Sequence, residues 1–312
     1  MYWQPTTRRA DPAWPGPSLD DVDNRDEVKA FLSSRRAKIT PEQAGLQHFS
    51  RNRRVPGLRR SEVADLAGVS VEYYAQLERG NLAGASDSVL DALARALHLD
   101  EAEQQHLADL ARAASPSART RRRPPAQQVR PSVTRVLELM ADVPAFVNNG
   151  RGDVLAANPL MRSLYAPMFD DPARPANHAR FAFLDARARD FWRDWERIAA
   201  DTVAMLRTEA GRDPYNRDLT DLVGELCTRS EDFRTRWAAH DVRLHRTGIK
   251  QFRHPVVGNI DLNFETMQLT ADPGLSMTLL SAPAGSADAD ALRLLASWAA
   301  THDQSHTAPD PQ

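Results

Sequence analysis

The sequence predicts two domains, an all-α N-terminal domain that contains a helix-turn-helix and an α+β C-terminal domain. Residues 58–80 read LRRSEVADLAGVSVEYYAQLERG, two short apolar stripes joined by a glycine, which is typical of a helix-turn-helix. Strict alternation of apolar and polar residues begins near position 260 and predicts strands there. A chain of 312 residues is long enough for two domains, at roughly 150 residues each.

The first helix of the motif is predicted from apolar spacing. Val63, Leu66 and Ala67 recur at i, i+3 and i+4, so they share one face of a helix. Gly68 follows at once, and it can adopt the left-handed backbone that ends a helix and turns the chain sharply. A tight turn directly after Ala67 is therefore expected.

The second helix of the motif has a cap, a buried side and an exposed side. Ser70 can accept a hydrogen bond from the orphan amide of Tyr73, and Gly80 closes the segment. Tyr74 and Leu77 lie three residues apart and fall on the buried side. The residues left facing outward are Val71, Glu72, Tyr73 and Gln76.

Further helices surround this motif in the predicted N-terminal domain. One covers 26–38, and Thr40 with Pro41 and Gln43 predicts the start of another through a capping box. A third covers 86–97, and Asp100 with Glu103 opens the next through a second capping box. Glu62 and Glu78 are expected to pair with nearby arginines rather than with DNA. The apolar stripe of the 86–97 helix consists of Leu90, Leu93, Ala94 and Leu97.

Composition sets the domain boundaries. Residues 1–24 are rich in Pro, Asp and Arg without any period, which predicts a disordered arm. The helical domain then covers 25–114. Residues 115–131 are rich in Pro, Ser and Arg and read as a linker, and the second domain covers 132–302.

The second domain begins with a helix near Val133 and a hairpin whose loop is NNGRGD. A short helix starts at Asn158, and a long helix is predicted over 186–208. In the last third, the alternating run shifts phase after Phe264, which predicts a β-bulge near Glu265–Thr266. Additional helices are predicted at 217–227, at 231–239 and around Leu292, Leu295 and Trp298.

Charge and cysteine usage exclude several classes of protein. A net charge of −2 argues against general nucleic-acid binding, whereas local arginine clusters fit a confined phosphate footprint. The single cysteine, Cys227, excludes an intramolecular disulfide and a cysteine-rich zinc site. No run approaches the roughly 18 apolar residues of a membrane helix, so we predict a cytoplasmic protein without membrane contact. The clusters are Arg51, Arg53, Arg54, Arg59 and Arg60, and Arg119, Arg121, Arg122 and Arg123.

The chain resembles XRE-type regulators that carry an MmyB-like ligand-binding domain. The segments that carry the resemblance are RRVPGLRRSEVADLAGVSVEYYAQLERG, SVLDALARALHLDEAE, DWERIAADTVAMLR, LVGELCTRSEDFRTRWAAHDV and FRHPVVGNIDLNFETM. This resemblance covers about residues 26 to 284. It implies a lambda-repressor-like helix-turn-helix domain and a PAS-like domain that holds a fatty acid or another small apolar ligand, with no other cofactor.

By the repressor pattern, the second motif helix enters the major groove of double-stranded DNA. The outward residues Val71, Glu72, Tyr73 and Gln76 are then the candidates for base contacts. Since one such helix makes few base contacts, a homodimer on a pseudo-palindromic operator is expected. The positions where this family touches phosphate are Arg59, Arg60, Ser70, Arg79 and Asn81.

The second domain has no sequence signature of an enzyme. Neither a GxSxG elbow, a P-loop nor a GxGxxG motif occurs, and His240, His245 and His254 match no metal-ligand spacing. We therefore predict that the protein is not an enzyme and binds no metal. A pocket of aromatic walls with a histidine as its polar handle is predicted instead. Its candidate residues are Phe146, Trp195, Trp237, His240, Phe252 and His254.

The leading hypothesis is a sequence-specific transcriptional regulator that senses a small molecule. Two alternatives remain open at this point. The helix-turn-helix could localise an enzyme to DNA, or it could serve an antitoxin-like protein-interaction module. The operator, the ligand and the sign of regulation do not follow from the sequence.

Overall fold

A computed structural model describes residues 19–46, 57–115, 127–170, 175–239 and 247–307. Its side chains are described from Asn24 to Thr301 within those ranges. The predicted arm therefore lies outside the described residues up to position 18, and so does most of the predicted linker, from 116 to 126. The arginines at 51, 53 and 54 and those at 119 to 123 are also outside them.

The N-terminal domain is a bundle of helices around one hydrophobic core. Its helices are α1 (Leu19–Lys38), α2 (Arg60–Ala67), α3 (Val71–Glu78), α4 (Asp87–Ala96) and α5 (Glu101–Ala114). Phe31 of α1, Tyr74 of α3 and Leu93 of α4 are completely buried in that core. The predicted stripe of α4 is buried along its whole length, so the period-3.6 pattern placed this helix correctly.

The helix-turn-helix forms as its local sequence predicts. Gly68 ends α2 with φ of 67°, in the left-handed region. Ser70 caps α3, because its Oγ accepts a hydrogen bond from the amide of Tyr73 at 3.1 Å. One part of the prediction is wrong, since Leu66 is 38% exposed and Ala64 takes its place in the core beside Val63.

Two predicted helix starts have different outcomes. Asp100 and Glu103 exchange the two hydrogen bonds of a capping box, at 2.9 and 3.0 Å, and α5 follows. Thr40 and Gln43 exchange the same pair of bonds, yet only a turn over 41–45 is formed within the described residues. In addition, α1 begins at Leu19, so the end of the predicted arm is helical.

The C-terminal domain combines helices with one antiparallel sheet of five described strands in the order β2-β1-β5-β4-β3. The strands are β1 (Ala145–Asn149), β2 (Val154–Ala157), β3 (Thr247–His254), β4 (Gly258–Gln268) and β5 (Leu275–Ser281). The helices are α6 (Pro131–Leu139), α7 (Pro159–Leu164), α8 (Ala166–Phe169), α9 (His178–Leu184), α10 (Ala188–Phe191), α11 (Trp195–Arg212), α12 (Arg217–Arg229), α13 (Glu231–Ala238) and α14 (Ala287–Thr307). The predicted hairpin is β1 and β2.

The two faces of the sheet are covered by different helices. On the inner face, Phe252, Ile260 and Phe264 belong to a core shared with α7, α9, α10, α11 and α14. On the outer face, Val133 and Leu137 of α6 pack against side chains of β1 and β5. The inner face is therefore the one that most of the helices enclose.

The long helix predicted over 186–208 is wrong, because the chain breaks at Trp192. This residue is extended, with φ of −101° and ψ of 119°, and it forms a β-bridge to Phe252. Its ring is completely buried, and the amide of Arg193 donates to the carbonyl of Gln251. Burial of the large indole against β3 favours this break over a continuous helix.

The bulge predicted near Glu265–Thr266 is also wrong. Strand β4 keeps one register with β5 from Asn263 to Gln268. The change of phase in the sequence arises because Met267 is 47% exposed on the outer face, so an apolar side chain sits where a polar one was expected. The irregular register lies instead between Val147 and Asn148, where β1 pairs with β2.

Candidate functional site

The start of α3 carries an exposed edge, called here the α3 edge, made of Val71, Glu72, Tyr73 and Gln76. Val71 is 39% exposed, and Glu72 and Gln76 are also exposed. Tyr73 is half-buried and packs against the N-terminal core. Three of the four side chains thus face solvent on a helix whose opposite side is completely buried.

Glu78 fixes the end of α3 against α1 and α2. Its side chain is 2% exposed and accepts from Arg36 at 2.9 Å, from Arg60 at 3.0 Å and from Ser33 at 2.8 Å. Burial alone would raise the pKa of this carboxyl, but the hydrogen bonds from Arg36, Arg60 and Ser33 outweigh burial and lower it. The acid is therefore ionised at neutral pH, as its predicted pairing with arginine requires.

The residues that the resemblance assigns to phosphate lie around the α3 edge and are exposed. Arg59 is the N-cap residue directly before α2, while Arg79 and Asn81 follow α3. Ser70 uses its hydroxyl oxygen as the cap of α3, and Arg60 uses part of its guanidinium on Glu78. Arg60 keeps 57% of its side chain exposed, so its remaining donors reach solvent.

A cavity of about 150 Å³ lies between α11 and the inner face of the sheet. Its lining is mixed, with apolar side chains at Phe146, Ile198 and Met205 and polar groups elsewhere. The polar lining includes Asn148, His178, Asp201, Thr202, Thr208, Glu209, Arg212, Lys250, Thr266, Gln268, Ser276 and Thr278. A second, more open hollow of about 390 Å³ lies beside α7 and Trp298.

The cavity contains a buried cation. Lys250 is 4% exposed, and its Nζ lies 5.0 Å from the centroid of the Phe264 ring. Burial lowers the pKa of Lys250 to about 8, with Asp201 acting in the opposite direction and Arg197 adding to the decrease. Glu209 also lines the cavity, and burial raises the pKa of its carboxyl. These shifts mark an environment that disfavours charge.

Family comparison agrees with the two-domain structure. A model of the MmyB-like transcription regulator ligand binding domain matches residues 129–295. The chain belongs to this family. A helix-turn-helix domain model matches residues 35–107 of the chain. No curated protein matches the chain.

These matches establish the coarse function. The MmyB-like regulator is a DNA-binding transcription regulator with a ligand-binding domain. Within the described residues, no group of side chains could hold a metal ion. None of the described helices combines the length and the apolar character that crossing a bilayer requires.

The predicted pocket residues of the MmyB-like domain are only partly brought together. Phe146 lines the cavity. Trp195 and Trp237 do not, because the Trp195 indole donates to the carbonyl of Ala182 at 2.9 Å and Trp237 stacks on Phe233. We therefore correct the prediction that these tryptophans share a pocket with Phe146.

Phe252 and the histidines need the same correction. Phe252 is completely buried in an aromatic cluster, 5.4 Å from the ring of Tyr165. His254 uses both ring nitrogens within the fold, because Nε2 donates to the carbonyl of Ser163 and Nδ1 accepts from the amide of Val256. Burial lowers the pKa of His254, which agrees with a neutral ring. His240 and His245 lie outside the described residues.

Lys250 is the cavity residue that the sequence prediction missed. The chain has three lysines, Lys29, Lys38 and Lys250, among 40 basic residues. Lys250 alternates with Phe252 and His254 on β3, so the period of two places it on the apolar face of its strand. A lysine in an arginine-rich chain, in phase with buried residues, is the pattern that would have identified it.

Helix α11 joins the cavity to the N-terminal domain, because it packs against α5 as well as lining the cavity. Arg207 of α11 is completely buried and donates to Glu27 of α1 and to the carbonyl of Trp237. Gly211 faces His106 of α5, where an added Cβ would lie 2.5 Å from the imidazole. We call this set of contacts the domain seam.

Proposed function

We propose that this MmyB-like regulator binds specific DNA sequences through the α3 edge and that a small molecule in the α11 cavity controls this binding. The observation that carries the proposal is the position of α11. The same helix lines the cavity with Asp201, Met205 and Glu209 and contacts the DNA-binding domain through Arg207 and Gly211. A molecule that shifts α11 would therefore act directly on α1 and α5.

The proposed base contacts follow from the chemistry of the α3 edge. Gln76 can pair with adenine through two hydrogen bonds, and Glu72 can accept from the amino group of cytosine. Val71 can contact the methyl group of thymine, and Tyr73 lies between these residues at the edge of the core. Exposure of Val71, Glu72 and Gln76 supports these roles.

Phosphate contacts would hold this helix in the groove without carrying sequence information. The exposed basic side chains of Arg59, Arg60 and Arg79, with Ser70 and Asn81, support this assignment. A helix-turn-helix closed by Gly68 and Ser70, with further helices around it, supports a lambda-repressor-like domain. A homodimer on a pseudo-palindromic operator would supply the second set of base contacts.

A PAS-like fold is our proposal for the ligand-binding domain. The strand order β2-β1-β5-β4-β3 and the placement of α7 to α13 between β2 and β3 support it. The family resemblance implies a fatty acid or another apolar ligand. A polar lining and about 150 Å³ of space favour a smaller and more polar molecule, since a cavity of about this volume holds a benzene-sized ligand.

The mechanism we propose is a shift between two arrangements of the domain seam. A ligand changes the populations only if it binds one arrangement more tightly than the other. In a dimer, a change at α1 and α5 would alter the spacing of the two α3 edges. DNA affinity would then depend on the occupancy of the cavity.

DNA binding by the full chain tests the proposal. An operator selected from random duplexes would be titrated with the wild type, Gln76→Ala, Arg79→Ala and Arg135→Ala at two salt concentrations. Gln76→Ala should reduce discrimination between the operator and a site with one base changed by about 1–3 kcal/mol. Arg79→Ala should weaken all duplexes alike and reduce the salt dependence by about one phosphate contact.

Arg135→Ala is the matched control, because Arg135 is an exposed arginine of α6 that pairs with Glu138. Arg135→Ala should leave both the discrimination between duplexes and the salt dependence of binding unchanged. If Gln76→Ala and Arg79→Ala behave like this control, the α3 edge is not the surface that contacts DNA. Binding of a protein by the α3 edge, without selection of any duplex, would favour the antitoxin-like alternative.

A further inference from the structure

Lys250 is a cation buried inside the ligand-binding domain, and no carboxylate of the described residues forms an ion pair with it within 4.0 Å. Its side chain is 96% buried, yet it lines the cavity. Among the described residues, its Nζ donates no side-chain hydrogen bond and forms no salt bridge within 4.0 Å. Three ammonium N–H donors are therefore available to the cavity.

Each of the two acids that line the cavity has an arginine nearby, and Asp201 also raises the pKa of Lys250 against the effect of burial. Asp201 lies 3.8 Å from Arg197, and Glu209 lies 3.3 Å from Arg212. Arg197 also pairs with Asp194 at the start of α11, at 2.8 Å. Arg197 thus lies within 4.0 Å of Asp201, and Arg212 within 4.0 Å of Glu209, whereas no carboxylate of the described residues forms an ion pair with Lys250 at that distance.

Burying an ammonium in this way is unfavourable unless a partner binds it. The pKa of about 8 that burial imposes still leaves most of the lysine protonated at pH 7. A second polar atom, Oδ1 of Asn148, is also buried at the cavity and has no hydrogen-bond partner among the described residues. Both atoms would be satisfied by a polar ligand, whereas an alkyl chain would satisfy neither.

We propose that Lys250 binds the carboxylate of a small organic acid in the α11 cavity. A carboxylate supplies both the missing negative charge and strong acceptors for the ammonium. Phe146, Ile198 and Met205 would contact the apolar body of the ligand. The size of the cavity limits that body to about that of a benzene ring. This inference rests on the proposed function only in taking the cavity as the ligand site.

The small number of lysines makes a direct measurement practical. The full chain would be prepared with 13C at the lysine Cε, which gives three NMR signals for Lys29, Lys38 and Lys250. Comparison with Lys250→Arg and Lys29→Arg assigns them. The probes are benzoate and hexanoate at millimolar concentration, with benzamide and hexanamide as neutral controls of the same shape.

Benzoate or hexanoate should shift the Lys250 signal and raise its pKa from about 8 by one unit or more. The matching amide should leave the pKa unchanged, and the signal of the exposed Lys29 should not respond to either probe. Lys250→Met should weaken binding of the acid at least tenfold in calorimetry, whereas Lys29→Met should not change it. If Lys250→Met does not fold, the NMR titration of the wild type decides alone.

The proposal is overturned if neither acid moves the Lys250 signal, or if each amide moves it as much as its acid does. It is also overturned if laurate binds and both short acids do not. None of these measurements includes DNA. If the chain binds benzoate but selects no operator, the proposed function is refuted and the carboxylate site is retained. If the chain selects an operator but binds neither acid, the carboxylate site is refuted and DNA binding is retained.

Discussion

Glu78 in the N-terminal domain and Lys250 in the C-terminal domain are both buried ionisable groups, but their surroundings differ. Glu78 accepts hydrogen bonds from two arginines and a serine within 3.0 Å. Lys250 lines a cavity, and its Nζ lies 5.0 Å from the centroid of the Phe264 ring. The Glu78 carboxylate connects α1, α2 and α3. The Lys250 ammonium is buried in an environment that disfavours its charged form.

This difference separates a structural charge from a candidate binding charge. A buried ion with its partners in place resists change, because removal of one partner leaves the others exposed to an unfavourable environment. A buried ion without close partners is stabilised when a ligand supplies them, and this stabilisation contributes to the binding free energy. Glu78 is thus a structural charge of the DNA-binding domain, whereas Lys250 is a charge of the ligand-binding domain that a ligand in the cavity could neutralise.

The largest expected effect is on Glu78. Glu78→Gln leaves Arg36 and Arg60 without their shared carboxylate, so the free energy of unfolding should fall by about 3–5 kcal/mol at pH 7. Because the pKa of Glu78 is lowered in the folded state, its contribution is present above the unfolded pKa near 4.5. The contribution is lost as the pH falls through the lower, folded pKa.

Urea unfolding at several pH values would measure this loss. Glu138→Gln is the control, since Glu138 forms an exposed pair with Arg135 and such pairs contribute about 0–1 kcal/mol. A loss for Glu78→Gln no larger than for this control would remove the contrast between the two buried charges.

The second effect has the opposite sign. Lys250→Met should stabilise the ligand-free protein by about 3 kcal/mol at pH 7, which follows from a pKa lowered from 10.5 to about 8. The folded state loses its proton near pH 8 and the unfolded state near 10.5, so the gain should be full below pH 8 and fade between these values. Thermal unfolding from pH 7 to 10.5 measures it.

Lys29→Met removes an exposed lysine and serves as the control for that measurement. It should change stability by only a few tenths of a kcal/mol. Should Lys250→Met destabilise the protein at pH 7, the ammonium would be a satisfied structural group after all, and the comparison with Glu78 would fail.

The third test concerns the seam where the two domains meet. Gly211→Ala would place a Cβ 2.5 Å from the ring of His106, which is completely buried and packs against Phe31. We expect a loss of about 1–3 kcal/mol, as for an overpacked core. Gly224→Ala, in the open middle of α12, should instead stabilise by about 0.5–1 kcal/mol.

Differential scanning calorimetry would compare the two alanine variants. Equal effects of the same sign would mean that His106 and Gly211 are not in close contact. In that case the seam could not transmit a shift of α11 to α5.

The smallest expected effect is at the cap of α3. Ser70→Ala removes the acceptor for the Tyr73 amide and should cost about 1 kcal/mol. Ser86→Ala is the matched control, because Ser86 occupies the N-cap of α4 without a side-chain bond to the helix amides. Circular dichroism during urea unfolding should show the larger loss for Ser70→Ala, and equal losses would contradict the capping role.

Local chemistry made the helix-turn-helix predictable from the sequence. Gly68, Ser70 and the capping box of Asp100 act within three or four residues of themselves, so their patterns determine the structure directly. The break at Trp192 depends on β3, about 60 residues away in the chain, and no local pattern reveals it. The cavity likewise forms only when α11 meets strands from both ends of the domain, so aromatic content alone predicts Trp195 and Trp237 as pocket walls and misses Lys250.

The domain seam has a consequence for exchanging parts between proteins. Arg207 reaches Glu27 across the boundary, and His106 fits only where the opposing helix carries a glycine. The two domains of this regulator therefore cannot be exchanged independently of each other. If this DNA-binding domain is fused to a sensor from another protein, that sensor needs an arginine and a glycine at the positions of Arg207 and Gly211. Without them, ligand binding in the foreign sensor would not change DNA binding.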